Sequence, residues 1–124
     1  MKDILIVGLG GFAGSVARYL VSVAMLPLVA STGFPFATLA VNVAGSLLIG
    51  AFAAAGIPGG WYFLCVTGFC GGFTTFSTFS LEAVNLMRTG SGATALVYML
   101  VSFVASALAV GLGFWLGTKL GTFK

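Results

Sequence analysis

Apolar residues form four long stretches along the chain, at about residues 4–24, 36–55, 61–87 and 93–116. Each stretch is long enough to cross a bilayer as a helix, since roughly 20 residues span the hydrocarbon core. Turn-forming residues mark the three connections between them: Pro27, Gly33 and Pro35, then Pro58, Gly59 and Gly60, then residues 89–92. The pattern predicts an all-α integral membrane protein, with residues 1–124 forming one domain of four transmembrane helices.

The composition narrows the function classes that remain. Of the residues, 60% are hydrophobic and only 6% are charged, against roughly 25% charged in soluble domains. The five basic residues form no cluster, which excludes an ordinary nucleic-acid site. The chain has no His, and its only acids are Asp3 and Glu82, so a His-based triad, a paired-carboxylate site and an ordinary zinc site are excluded. We do not expect an enzyme, and we expect Cys65 and Cys70 to be small core residues.

The third stretch has an unusually polar centre at Gly68–Ser80, which reads GFCGGFTTFSTFS. Two glycines are followed by five hydroxyl residues and by phenylalanine at every third position: Gly71, Gly72, Thr74, Thr75, Ser77, Thr78, Ser80, Phe73, Phe76 and Phe79. Such a sequence predicts a helix broken near its middle that lines a polar path. The alternative is a packed interface whose hydroxyls bond back to their own helix.

Two further stretches carry polar residues four positions apart, which places each set on one helix face: Thr38, Asn42 and Ser46, and Tyr98, Ser102 and Ser106. Either stripe alone commonly serves helix–helix packing through hydrogen bonds between neighbouring helices. Two stripes beside a broken helix favour a hydrated track. The expected topology brings five of these groups to the same depth, between one surface and the midplane: Asn42, Phe76, Phe79, Ser102 and Ser106. The Asn42 amide could serve an interhelical hydrogen bond or offer two N–H groups to an anion.

Small residues recur four apart at Gly10 and Gly14 in the first stretch, and at Gly113, Gly117 and Gly121 in the fourth. This spacing predicts close helix–helix packing.

Arg18 lies near the end of the first stretch, where a charge needs water or a partner. It could snorkel to the interface beside Tyr19, or have a structural or pore-mouth role.

Basic residues give almost no orientation signal. Four spans place Lys2, Lys119 and Lys124 on one side and Arg18 and Arg88 on the other. The chain is therefore expected to insert in both orientations, which favours an antiparallel homodimer.

The permeating ion remains open at this point. Amide and hydroxyl donors and the positive edges of phenylalanine rings favour a small anion, whereas carbonyls freed near residues 71–75 would suit a hard cation such as Na⁺.

Three segments resemble the signature segments of the Fluc (CrcB) family of fluoride channels: GGFAGSVARY at Gly10–Tyr19, TLAVNVAGSLLIG at Thr38–Gly50 and GFCGGFTTFSTFS at Gly68–Ser80. The resemblance implies a fluoride-selective channel in the cell (plasma or inner) membrane that relieves fluoride toxicity by passive export. It also implies an antiparallel, dual-topology homodimer with two pores and a structural Na⁺ at its centre.

By motif position, the resemblance implies a role for each site residue. Asn42 would be the pore amide, and Phe76 and Phe79 the fluoride-facing rings. The carbonyls of Gly71 and Thr74 would bind Na⁺. The remaining pathway residues would be Thr38, Ser77, Thr78, Glu82, Tyr98, Ser102 and Ser106, with Glu82 as a vestibule acid.

Two other classes compete with a fluoride channel. A small four-helix, dual-topology drug–proton antiporter needs an intramembrane carboxylate, but the first stretch has none and Glu82 lies towards a helix end. A non-transporting assembly subunit would explain the glycines but not two polar stripes beside a broken helix.

Overall fold

The computed structural model describes residues 1–121, in which every regular element is helical. The elements are α1 (Lys2–Ala24), α2 (Leu26–Thr32), α3 (Phe36–Ala55), α4 (Gly59–Tyr62), a π-helical segment (Phe63–Cys70), α5 (Gly71–Phe73), α6 (Phe76–Arg88) and α7 (Gly92–Gly121). Lys124, which counted in the charge balance above, lies outside the described residues.

Within residues 1–121, four helices are long and apolar enough to cross a membrane: α1, α3, the run Gly59–Arg88 and α7. The four spans expected from the sequence fall within these helices, although α7 extends to Gly121, beyond the expected end at residue 116. The first connection is the exception, because α2 occupies it. Pro27 lies in the first turn of α2, where a missing N–H is tolerated, and Gly33 ends the helix with φ of 72°.

The third span is broken near its middle, as predicted, but not at its glycines. Gly71 and Gly72 remain helical. Thr74 and Thr75 instead adopt extended backbone, with ψ of 159° and φ of −151° respectively. The helix direction is therefore interrupted between α5 and α6.

The first half of the third span packs against α1. At Gly10, a Cβ atom would overlap the backbone carbonyl of Leu64, and at Gly14 that of Phe69. On the facing helix, a Cβ at Gly72 would lie 2.7 Å from the Gly11 carbonyl oxygen. Glycines on both helices thus allow backbone-to-backbone contact, which confirms the predicted close packing of the first span.

The second and fourth spans, α3 and α7, form the other tight pair. A Cβ at Gly113 would overlap the Leu47 carbonyl, and one at Gly117 would overlap the Ala51 carbonyl. Gly121 is in ordinary van der Waals distance of α3, at 3.6 Å from the Ala54 carbonyl oxygen. The predicted small-residue packing of the fourth span is confirmed.

Beyond the break, α6 leaves α1 and packs against α7. The break therefore lets the first half of the third span pack on α1 while its second half packs on α7, which belongs to the other tight pair. This arrangement places the extended residues between α1, α3 and α7.

Candidate functional site

Two consecutive threonines cap the helix ends at the break. The N–H and the hydroxyl of Thr74 both donate to the Cys70 carbonyl, at 3.0 and 2.9 Å. The hydroxyl of Thr75 accepts from the Thr78 N–H at 3.2 Å, as an N-cap residue does. Local side chains thus satisfy part of the backbone that the break exposes.

The Asn42 side chain completes this pairing from α3. Its Oδ1 accepts from the Thr75 N–H at 2.8 Å, and its Nδ2 donates to the Thr75 carbonyl at 3.1 Å. Of the two roles considered for this amide, an interhelical hydrogen bond is thus present. The expectation that both N–H groups face an anion needs correction, because one of them is already bonded to Thr75.

The same contacts leave two carbonyls without their helical partners. In a continuous helix, the Thr75 N–H would bond to the Gly71 carbonyl and the Thr78 N–H to the Thr74 carbonyl. Here the first N–H bonds to Asn42 and the second to the Thr75 hydroxyl. Gly71 and Thr74 therefore present the kind of neutral, hard oxygen that suits an alkali cation.

An open groove of about 710 Å³ lies beside the break. All five groups expected to share one depth line it, which confirms their convergence: Asn42, Phe76, Phe79, Ser102 and Ser106. Gly71 and Thr74 line it as well. Ser102 lines the groove, and its hydroxyl is buried without a hydrogen-bond partner within residues 1–121.

Aromatic rings form one wall of the groove. The ring centroids of Phe76 and Phe79 lie 5.8 Å apart, and the Phe79 ring lies 5.0 Å from that of Tyr98. Phe79 is half-buried, whereas Phe76 is 79% exposed. The groove is therefore a face of the protomer and not an enclosed tunnel.

Tyr98 and Glu82 do not line the groove. Tyr98 is completely buried behind Phe79, and its hydroxyl donates to Glu82 Oε1 at 3.0 Å. The stripe expected along the fourth span is thus divided, because residues four apart advance by about 40° around a helix of 3.6 residues per turn. Ser102 and Ser106 reach the groove, but Tyr98 does not.

A second, smaller cavity of about 250 Å³ lies on the other side of the break. Its lining is mostly polar: Ser15, Arg18, Tyr19, Ser22, Thr38, Val41, Thr75 and Thr78. The Arg18 Nε is buried and has no hydrogen-bond partner in the described part of the chain. Thr75 lines both cavities, so the break forms the partition between them.

The expected site residues are therefore distributed over more than one environment. Thr38 and Thr78 belong to the smaller cavity. Ser77 lines neither cavity, and its hydroxyl is 3.4 Å from that of Thr75.

Several groove residues were not among the expected site residues: Gly45, Ser46, Ile49, Val66, Thr67, Cys70, Met99 and Phe103. Ser46 continues the stripe of Thr38 and Asn42, and that spacing was sufficient to find it. The others are apolar or lie within the π-helical segment, where no polar periodicity identifies them.

Comparison with known proteins gives a consistent family assignment. Residues 5–114 match the family described as CrcB-like protein, Camphor Resistance (CrcB). A protein of Chlorobaculum tepidum named fluoride-specific ion channel FluC is 52% identical over 117 residues, covering 90% of this chain and 87% of the relative. A protein of the same name from Chlorobium chlorochromatii is 48% identical over 115 residues, covering 89% of this chain and 88% of the relative. Fluoride-specific ion channel FluC 1 of Rhodopseudomonas palustris is 45% identical over 126 residues, covering 96% and 89%.

Proposed function

The chain belongs to the CrcB family, and from that premise we propose that it is a fluoride-selective channel that exports fluoride passively. It is a multi-pass membrane protein, and in bacteria such a protein of this family lies in the inner membrane. The names of its relatives support fluoride as the permeating ion.

The groove beside the break is the observation that carries this proposal. Asn42, Ser102 and Ser106 bring amide and hydroxyl donors to it, and Phe76 and Phe79 bring aromatic rings whose edges are weakly positive. Among the described residues, no Lys or Arg lines the groove. Neutral donors can replace part of the hydration shell of fluoride without holding the anion so strongly that it cannot leave.

Arg18 supports an entrance on the other side of the partition. Its unpaired Nε in the smaller cavity favours the pore-mouth role over simple snorkelling. Only Thr75, which lines both cavities, would separate an anion attracted there from the groove.

A second copy of the chain would complete the pathway. The groove is open, and lipid tails cannot form hydrogen bonds with the polar groups that line it. Covering it with another protomer would enclose the donors between two proteins. We therefore retain the antiparallel homodimer with two pores, which the small charge bias already favours.

Na⁺ fits this arrangement as a structural ion. The carbonyls of Gly71 and Thr74 would hold it, and a symmetric dimer would supply each of them twice. The ion would contribute a fixed positive charge that holds the breaks of two protomers together. The support for this assignment is the loss of both carbonyls' helical partners.

Fluoride efflux from liposomes tests the proposal directly. Purified protein is reconstituted into vesicles loaded with potassium fluoride, and external fluoride is followed with an electrode after valinomycin is added. We expect rapid fluoride release, and no comparable chloride release from matched chloride-loaded vesicles. Fluoride release no faster than from protein-free vesicles would refute the proposed channel, and equal chloride release would refute its selectivity.

A further inference from the structure

Two residues of α3, Asn42 and Gly45, lie less than one helical turn apart and contact the two residues of the break. Asn42 bonds to both backbone groups of Thr75. Gly45 is buried, and a Cβ atom built there would overlap the Thr74 side-chain methyl, Cγ2. One position of α3 therefore binds Thr75, and the other receives Thr74.

The Thr74 methyl has little freedom to avoid this contact. The Thr74 hydroxyl donates to the Cys70 carbonyl at 2.9 Å, which fixes the single side-chain torsion of this β-branched residue. Turning the methyl away from Gly45 would break that hydrogen bond. A side chain at position 45 would consequently displace the backbone of Thr74 or remove its cap.

We propose that Gly45 is a positioning residue: together with Asn42 it forms a template on α3 that fixes where the Thr74 carbonyl lies. The proposal deepens the proposed function and rests on it, because the Thr74 carbonyl is the assigned Na⁺ ligand. Gly45 has no side chain with which to bind either ion. It acts by leaving room for the Thr74 methyl.

A purely structural role for Gly45 predicts a different mutational pattern. The same built Cβ lies 3.4 Å from Cδ2 of Phe73, so Gly45→Ala could act through general crowding. Thr74→Ser separates the two explanations, because it removes only the methyl and keeps the hydroxyl that caps Cys70. Under the template proposal, Gly45→Ala is harmful and adding Thr74→Ser restores function. Under crowding against Phe73, it does not.

The experiment compares the parent with Gly45→Ala, Thr74→Ser and the double variant, using Gly111→Ala as the matched control. A Cβ at Gly111 meets no atom within 4 Å, so this change adds a methyl to a helix without a clash. The first measurement is the Na⁺ concentration that gives half-maximal thermal stabilisation, with N-methylglucamine as the replacement cation. The second is fluoride efflux from liposomes.

For Gly45→Ala we expect the half-maximal Na⁺ concentration to rise by about tenfold or more, with a similar loss of flux, since small misplacements of binding groups have effects of this size. The double variant should return to within about threefold of the parent on the same scale. Gly111→Ala should resemble the parent, and Thr74→Ser alone is the reference against which the double variant is compared.

Two results would overturn the proposal: Gly45→Ala titrating with Na⁺ like the parent, or a double variant as impaired as Gly45→Ala alone. If Gly45→Ala does not assemble, recovery of an assembled protein by Thr74→Ser supports the template, and failure to recover overturns it. If the parent shows no Na⁺ effect, the Na⁺ assignment fails. The efflux and melting comparisons then still decide whether the Thr74 methyl explains the effect of Gly45→Ala.

Discussion

The hydroxyl of Tyr98 donates a hydrogen bond of 3.0 Å to Glu82 Oε1 and thereby joins α7 to α6. Tyr98 is fully buried, and the Phe79 ring packs against it at 5.0 Å. The second half of the broken span is thus fixed to α7 by one polar and one aromatic contact. Tyr98 does not line the groove, but by contacting Phe79 and Glu82 it helps to fix the orientation of the Phe79 ring, which does.

Removing the Tyr98 hydroxyl should destabilise this attachment. Tyr98→Phe keeps the ring contact with Phe79 but removes the donor from the part-buried Glu82 carboxylate, and loss of one such hydrogen bond costs about 0.5–1.5 kcal/mol. Unfolding in mixed micelles measures the change in the free energy of unfolding. Tyr62→Phe, at a partly exposed tyrosine of α4, is the control. Equal free energies for Tyr98→Phe and the parent would show that the hydrogen bond contributes nothing.

Phe79→Ile should reduce fluoride flux while the protein still assembles. The change retains an apolar side chain but removes the positive ring edge from the groove. We expect a loss of about tenfold or more, equivalent to about 1.4 kcal/mol in the barrier, without a large chloride leak. Liposome efflux checks this, and Phe12→Ile, at an exposed position of α1 outside the groove, is the control. Parent-like flux through Phe79→Ile would remove this ring from the pathway.

Fluoride should move down its own gradient only. Glu82 bonds to Tyr98 and lines neither cavity, so it is poorly placed to exchange protons for a cationic substrate as a drug–proton antiporter requires. The assigned Na⁺ ligands are carbonyls, and the site has no carboxylate whose protonation could release the ion in each transport cycle. Efflux measured under imposed Na⁺ or pH gradients should show no uphill fluoride movement. Fluoride movement driven in a fixed ratio by either gradient would show that the protein is a coupled transporter and not a channel.

The chain should insert in both orientations. The basic residues divide three to two between the sides, so neither orientation is strongly favoured. A cysteine in an added C-terminal tag should react with a membrane-impermeant reagent from both sides of the cell membrane. Labelling from one side alone would contradict dual topology and, with it, the antiparallel dimer.

The span positions and the glycine contacts could be predicted because both depend on local sequence. Apolar length defines a span, and small residues four apart define a face that backbones can approach. Gly10, Gly14, Gly113 and Gly117 all lie in such contacts. No longer-range information is needed for either property.

The location of the break depends on residues distant in sequence. Gly71 and Gly72 remain helical, and Gly72 allows close packing against Gly11. Thr74 and Thr75 leave the helix where Asn42, 33 positions away, supplies replacement hydrogen bonds. The stripe also did not reveal where Tyr98 lies, because an advance of about 40° for every four residues turns it away from the groove, and its hydroxyl meets Glu82 instead.

The tight pairs interleave along the chain, and this has a consequence for biogenesis. The glycine face of α1 finds its partner in the third span, and the glycine face of α7 finds its partner in α3. During synthesis, neither pair can therefore form while only the first two spans have entered the bilayer. In a chain truncated after α3, the glycine face of α1 would be left unmatched in lipid, and α3 would lack the helix that packs against it. Maturation of the protomer must wait until the last helix has left the ribosome.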